Sequence, residues 1–146
     1  MKKILFGLFT AWAVSQAVAS EGKWLTDLPK ALDQAKAEKK VVLLDFTGSD
    51  WCGWCKRLDN EVFSTSEFKE YATKNLVLVE VDFPERKKQS PELKKANEGL
   101  KSKYNVDGFP TLVVLNEAGR EIGRQSGYLS GGSKAFIAKL ESFKKK

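Results

Sequence analysis

Histidine is absent from the 146 residues, cysteine occurs only twice and methionine once, at position 1. The first absence removes the imidazole, the commonest metal ligand and the side chain that ordinarily titrates near neutral pH. A closed structural zinc site needs four ligands, and two cysteines without histidine fall short of it within one chain. Two thiolates can hold a soft ion such as copper(I), so that reading stays open. Also lacking is an unbroken apolar run of the roughly 20 residues that cross a bilayer.

The first twenty residues place Lys2 and Lys3 ahead of an apolar stretch from Ile4 to Val14, interrupted by Thr10, and end in an Ala17-Val18-Ala19 pattern. That is the plan of a cleaved secretory leader, residues 1–20, followed by one mature domain over 21–146 with no stable membrane insertion. A lipoprotein anchor would need a cysteine at the cleavage point, and none is there. Acids are fewer than bases, 19 against 25, for a formal +6, and loss of Lys2 and Lys3 leaves 23 bases against 19 acids, a formal +4. The positive charge is spread out, with one cluster at Lys144 to Lys146. Such a cluster reads as a solvated C-terminus, and nucleic-acid binding is not expected.

A hydrophobic share of 42% is enough for one compact core. "TDLPKALDQAKAEKK" offers Thr26 or Asp27 as a helix cap, with Leu28, Leu32 and Ala35 at helical spacing. "VVLLDF" (41–46) and "LVLVEVDF" (76–83) are apolar runs of the kind buried on both faces of a sheet. Between them the spacing predicts a helix from about Cys52 and a second one capped by Ser64, whose partner Glu67 stands at capping-box distance. Ser90 is expected to cap a helix from Pro91 to Tyr104. "GFPTLVVLNEAGREIGRQSG" reads as a hairpin turning at Asn116 to Gly119, and Phe136, Ile137, Leu140 and Phe143 mark a closing helix. The expected class is α/β, a mixed central sheet with helices on both faces.

The two cysteines sit in "SDWCGWCKRLDNEVF" (49–63), three positions apart. A crosslink closing so short a loop stabilises little, because the entropic gain grows with loop length. A redox role accounts for the placement. A strand delivers the chain to a loop, and a helix starts at Cys52, where unpaired N–H groups and the helix dipole favour a thiolate. Cys52 is then the nucleophile, and Cys55, one turn on, is the thiol that resolves a mixed disulfide. Gly53 is expected to allow a tight turn between them, and Lys56 and Arg57 to add positive potential while otherwise solvated, like Asp50 and Glu85. Trp51 and Trp54 flank the pair and are candidates for contact with an extended peptide.

"VVLLDF" before "WCGWCK", "VEVD" in the next strand and "GFPTLVVL" before "AGREIGRQSGYLS" resemble the thioredoxin superfamily over about residues 22–143. The chain is similar to its exported members, including the C-terminal domain of the bacterial thiol:disulfide interchange protein DsbD. The resemblance implies a thioredoxin-like fold, a cis bond at Pro110 lying against the cysteines, and a Phe109 backbone that pairs with substrate. It also implies that Asp45 is the buried proton acceptor beneath Cys55; a strand-end acid with a structural hydrogen bond is the other reading of that residue. "TGSDWC" puts one residue more between Asp45 and Cys52 than the usual thioredoxin spacing. Gly53-Trp54 matches neither the Gly-Pro of thioredoxin nor the Gly-His of disulfide isomerases.

The expected function is a periplasmic or otherwise exported thiol:disulfide oxidoreductase, with Trp54 in place of a motif histidine tilting it toward reduction. Its partners would be disulfide-containing proteins and a thiol electron donor, with no cofactor and with the protein itself a monomer. The alternative is a binding module on the same scaffold, a chaperone or a copper-handling protein, since fold alone does not set function.

Overall fold

The computed structural model describes residues 22–145; the expected leader, 1–20, lies outside them. Val41–Thr47 (β2) is the middle strand of five, parallel to Leu76–Asp82 (β3) on one side and antiparallel to Thr111–Leu115 (β4) on the other. Glu121–Ser126 (β5) closes one edge against β4, and Trp24–Leu25 (β1) the other against β3, for the order β1-β3-β2-β4-β5. The two-residue β1 was not anticipated, being too short to show a period. Otherwise the mixed sheet and the order of elements agree with the expectation.

Leu28–Glu38 (α1) and Pro91–Lys103 (α4) cover one face of the sheet; Gly53–Leu58 (α2), Ser66–Asn75 (α3) and Gly132–Lys144 (α5) cover the other. The pleat distributes β2 between them. Val42, Leu44 and Phe46 join Leu28, Ala31 and Ala35 of α1 on the first side, while Leu43 joins Leu58, Phe68, Phe136 and Leu140 on the second. Phe63, Phe68 and Phe136 pack ring to ring with centroids 5.0 to 5.9 Å apart. Burial of each such ring stabilises the fold by about 1.5–3 kcal/mol.

Helix ends follow local chemistry. Asp27 accepts the Lys30 N–H at 3.1 Å to cap α1, with Pro29 in the first turn, and Ser90 accepts the Leu93 N–H at 3.2 Å to cap α4. At α3 the capping-box expectation fails by one residue: Thr65, not Ser64, accepts the Phe68 N–H at 3.3 Å. The cause lies upstream. After Leu58 the helix widens into a π-helical turn, Asp59–Phe63, and Ser64 is used in closing it, its N–H donating to the Asp59 carbonyl at 2.8 Å.

Candidate active site

The chain leaves β2 at Thr47, crosses Gly48 to Trp51, and enters α2 with Cys52 as its capping residue. The Cys52 N–H donates to the Gly48 carbonyl at 2.8 Å, which closes the loop. The Cys52 sulfur accepts the Cys55 N–H at 3.2 Å and is joined to the Cys55 sulfur in a disulfide, the two Cα atoms being 5.2 Å apart. A sulfur that serves as a helix cap receives an amide hydrogen bond and the positive end of the backbone dipoles, both of which favour its anionic form. Both cysteines are nearly buried.

Gly53 departs from expectation. Its φ is not positive, and a Cβ built on it would meet nothing within 4 Å. No tight turn requires it; the missing side chain instead leaves open space beside the disulfide. Gly48 is the glycine that close packing demands, since a Cβ there would overlap the Trp51 indole.

The Phe109–Pro110 peptide bond is cis. The Pro110 carbonyl accepts the Gly127 N–H at 2.8 Å, tying the loop to β5. The Phe109 ring meets Trp51 edge-on at 5.9 Å and stacks on Phe83 at 5.1 Å, so the cis-proline loop adjoins the residue before Cys52. Lys101 places its ammonium 5.7 Å from both phenylalanine rings. Trp54, 55% exposed, lies over Tyr128 at 5.2 Å, and the Arg57 guanidinium sits 5.5 and 5.0 Å from these two rings. Glu61 accepts from the Tyr128 hydroxyl and from Arg57 Nε, the latter at 2.7 Å. The Tyr128 bond foremost, with help from Arg57, holds the Glu61 carboxyl below its ordinary range. Arg57 is therefore engaged, not merely solvated. Trp24 packs against Phe63, ring centroids 5.0 Å apart, on the side of the sheet away from α1.

Asp50 overturns the expectation that it is simply solvated. Its carboxylate accepts the backbone N–H groups of Glu85, Arg86 and Lys87 at 3.0, 2.8 and 2.8 Å. These bonds, that from Glu85 first, lower its pKa to about 2. Ser49 donates its N–H and its hydroxyl to Asp82 at 2.9 and 2.5 Å, and Trp51 Nε1 donates to the Phe83 carbonyl at 2.8 Å. The residue added to the motif loop is thus part of a clasp that binds it to the segment after β3.

Behind Cys55 a cavity of about 450 Å³ is lined by Asp45, Asp59, Glu80, Lys56 and Lys87. Asp45 is buried, and its Oδ1 has no hydrogen-bond partner among the described residues. Burial pushes its pKa well up, and Glu80, Asp59 and Asp82 add to the rise. Glu80 is its direct neighbour across the parallel β2–β3 pair and is itself raised, again chiefly by burial. The second strand resembles the first: "VVLLDF" carries Asp45, and "LVLVEVDF" carries Glu80 and Asp82, within an apolar run. That likeness could have found Glu80. Tyr128 and Phe83 carried no such sign, because only the folded chain brings them to the cysteine motif.

A helix-capped cysteine disulfide with a cis-proline loop beside it, on a mixed five-stranded sheet, defines a protein built for thiol–disulfide exchange. The chain belongs to the thioredoxin-like domain family, whose model matches residues 28–144. It is 41% identical over 113 residues to the disulfide bond reductase DsbH of Chlamydia pneumoniae, covering 77% of this chain and 68% of that protein. A solved structure of a DsbH oxidoreductase superposes with a TM-score of 0.79 at 36% identity, covering 96% of this chain and 95% of the other. Similarity extends to the thiol:disulfide interchange protein DsbD of Vibrio cholerae, 34% identical over 113 residues, 77% of this chain but 17% of that longer protein. The thioredoxin-related protein DsbJ of Chlamydia pneumoniae is 28% identical over 96% of this chain and 44% of its own length. This chain is a thiol:disulfide oxidoreductase of the thioredoxin-like class.

Proposed function

We propose that the chain works in the reducing direction on protein disulfides outside the cytoplasm, with residues 1–20 as its export leader and 21–146 as the working domain. The Cys52 thiolate attacks a partner disulfide, forming a mixed disulfide and releasing one partner sulfur as thiolate. The Cys55 thiol passes its proton to the Asp45 carboxylate and attacks the Cys52 sulfur, releasing the second partner sulfur as thiolate. Two electrons move to the partner, Cys52 and Cys55 end as a disulfide, and an external thiol donor returns them to the dithiol. Trp51, Phe109 and Pro110 on one side and Trp54 on the other border the approach, and the vacant space at Gly53 admits an extended chain.

The observation that carries this reading is the Cys52 sulfur capping α2 while bonded to Cys55. Direction is supported by the name of the DsbH relative, a disulfide bond reductase, and by the absence of a motif histidine that would favour the reduced pair. A Cys55→Ser variant tests it. Expressed with its leader, it should accumulate covalent complexes through Cys52 with envelope proteins. If no such adduct forms, or if the wild-type protein leaves insulin disulfides intact in the presence of a thiol donor, the reading fails.

A further inference from the structure

Glu61 occupies the middle of the π-helical turn that follows the redox helix, and thiol–disulfide exchange makes no use of it. Such one-turn insertions recur at functional sites. Its carboxylate accepts from the Tyr128 hydroxyl and from Arg57 Nε, so one side chain gathers α2, the π-helical turn and the segment after β5. Arg57 in turn lies 5.5 Å from the Trp54 ring and 5.0 Å from the Tyr128 ring, and the two rings stand 5.2 Å apart, centroid to centroid. The result is a shelf that carries the residue between the cysteines. Trp51 and Trp54 are the exposed large apolar side chains among the described residues, and they differ in what they leave for a partner. Trp51 gives its indole N–H to the Phe83 carbonyl and packs its ring against Phe109, whereas Trp54 rests on Tyr128 and stays 55% exposed. The cation and the anion of the shelf, Arg57 and Glu61, are already paired with each other at 2.7 Å. Its unused capacity is therefore aromatic surface, not charge.

We propose that Glu61 is a positioning residue that sets partner preference: by holding Tyr128 and Arg57 it fixes Trp54 as an uncharged aromatic shelf, which selects protein disulfides with an aromatic side chain next to the cysteine. The inference rests on the cleft assigned above, in which Trp54 borders the approach. An aromatic ring laid on Trp54 gains a ring-to-ring contact that a serine or glutamate side chain does not. Glu61 also withholds the Arg57 charge, since a guanidinium without that carboxylate is free to take an acidic side chain of the partner. The ion pair thus excludes one class of partner while the ring admits another. The fold does not hang on this carboxylate, because the Thr65 and Ser133 hydroxyls, 2.6 Å apart, independently tie the chain after the π-helical turn to α5.

The test compares three partners of one length: dimers of the peptide Gly-Gly-X-Cys-Gly-Gly joined by their disulfide, with X phenylalanine, serine or glutamate. Peptide in excess is mixed with the reduced protein at low salt. Each turnover oxidises Cys52 and Cys55 to their disulfide and reduces one dimer to two peptide thiols, which are measured after acid quenching. Every rate is divided by that of hydroxyethyl disulfide on the same variant, so a general change in thiol reactivity cancels. The wild type should reach half-saturation with the phenylalanine dimer at a concentration about two- to tenfold below that for the serine dimer, with similar limiting rates. Glu61→Ala should lose that preference and favour the glutamate dimer over the serine dimer by about two- to fivefold, through the released Arg57. Glu61→Gln, whose amide oxygen still accepts from Tyr128, should keep the phenylalanine preference. A loosened fold would slow all three dimers alike, and that result for Glu61→Ala overturns the proposal. Equal half-saturation with the phenylalanine and serine dimers on the wild type overturns it too, and leaves the reductase reading standing. If the reduced protein opens none of the dimers, the reductase reading fails, and this inference with it.

Discussion

Asp45 and Asp50 stand five positions apart, and between them the chain passes from a strand walled in by α2 and β3 to a loop that collects backbone N–H groups. At Asp50 three amide donors stabilise the charge, and the pKa falls to about 2. At Asp45 one oxygen has no donor, burial removes water, and the pKa rises. The same side chain is thus a stabilised anion in one region and an acid pushed toward its neutral form in the other. A carboxylate's charge is favoured where donors surround it and disfavoured where burial leaves it short of them.

The sharpest way to break this comparison is Asp45→Leu. Loss of the proton acceptor should slow resolution by about a hundredfold. Removing an unpartnered buried carboxyl should at the same time stabilise the fold by about 1–3 kcal/mol. A raised folded pKa means the native state resists losing this proton, so the penalty grows as pH rises above the ordinary carboxylate range. The gain in melting temperature should accordingly be larger at pH 7 than at pH 3. Equal melting temperatures for variant and wild type at pH 7 would show that the buried Asp45 carboxyl does not destabilise the fold.

Asp50→Asn should do the reverse to stability, and more mildly. Here the folded pKa is lowered, so the stabilisation is fully present above the ordinary carboxylate pKa and is lost as pH falls from about 4 toward 2. Melting curves taken across that window should show the wild type converging on the variant. A difference that persists unchanged at pH 2 would mean that the charge on Asp50 is not what holds the clasp.

The smallest effect is the coupling between the two. The stability changes of Asp50→Asn and Asp45→Leu should add to within about 0.5 kcal/mol in the double variant. A larger departure from additivity in denaturant melts would tie the clasp to the cavity.

Much of the site was legible because it is local. Cys52 and Cys55 lie one helical turn apart after a buried strand, and that spacing already predicts a capped, exchange-competent pair. The strands at 41–47 and 76–82 announced themselves as apolar runs, and the helix caps Asp27 and Ser90 by residue type. The failures were of two kinds. Ser64 yielded the cap of α3 to Thr65 because a π-helical turn shifted the register by one, and no local pattern marks such a turn. Asp50 read as solvated because its three donors arrive from residues 85 to 87, more than thirty positions away.

What the order of residues determined by itself is the chemistry available and the layering: two thiols without a histidine, two apolar strands that carry acids, and amphipathic helices to cover them. These follow from side-chain type and period, which are properties of neighbours along the chain. Only tertiary structure decided which carboxylate is starved of donors and which is saturated with them, that Trp54 meets Tyr128 and Trp51 meets Phe109, and that Lys87 reaches the cavity behind Cys55. Burial and hydrogen-bond supply depend on segments far apart in sequence, and a group's charge state is set by that environment.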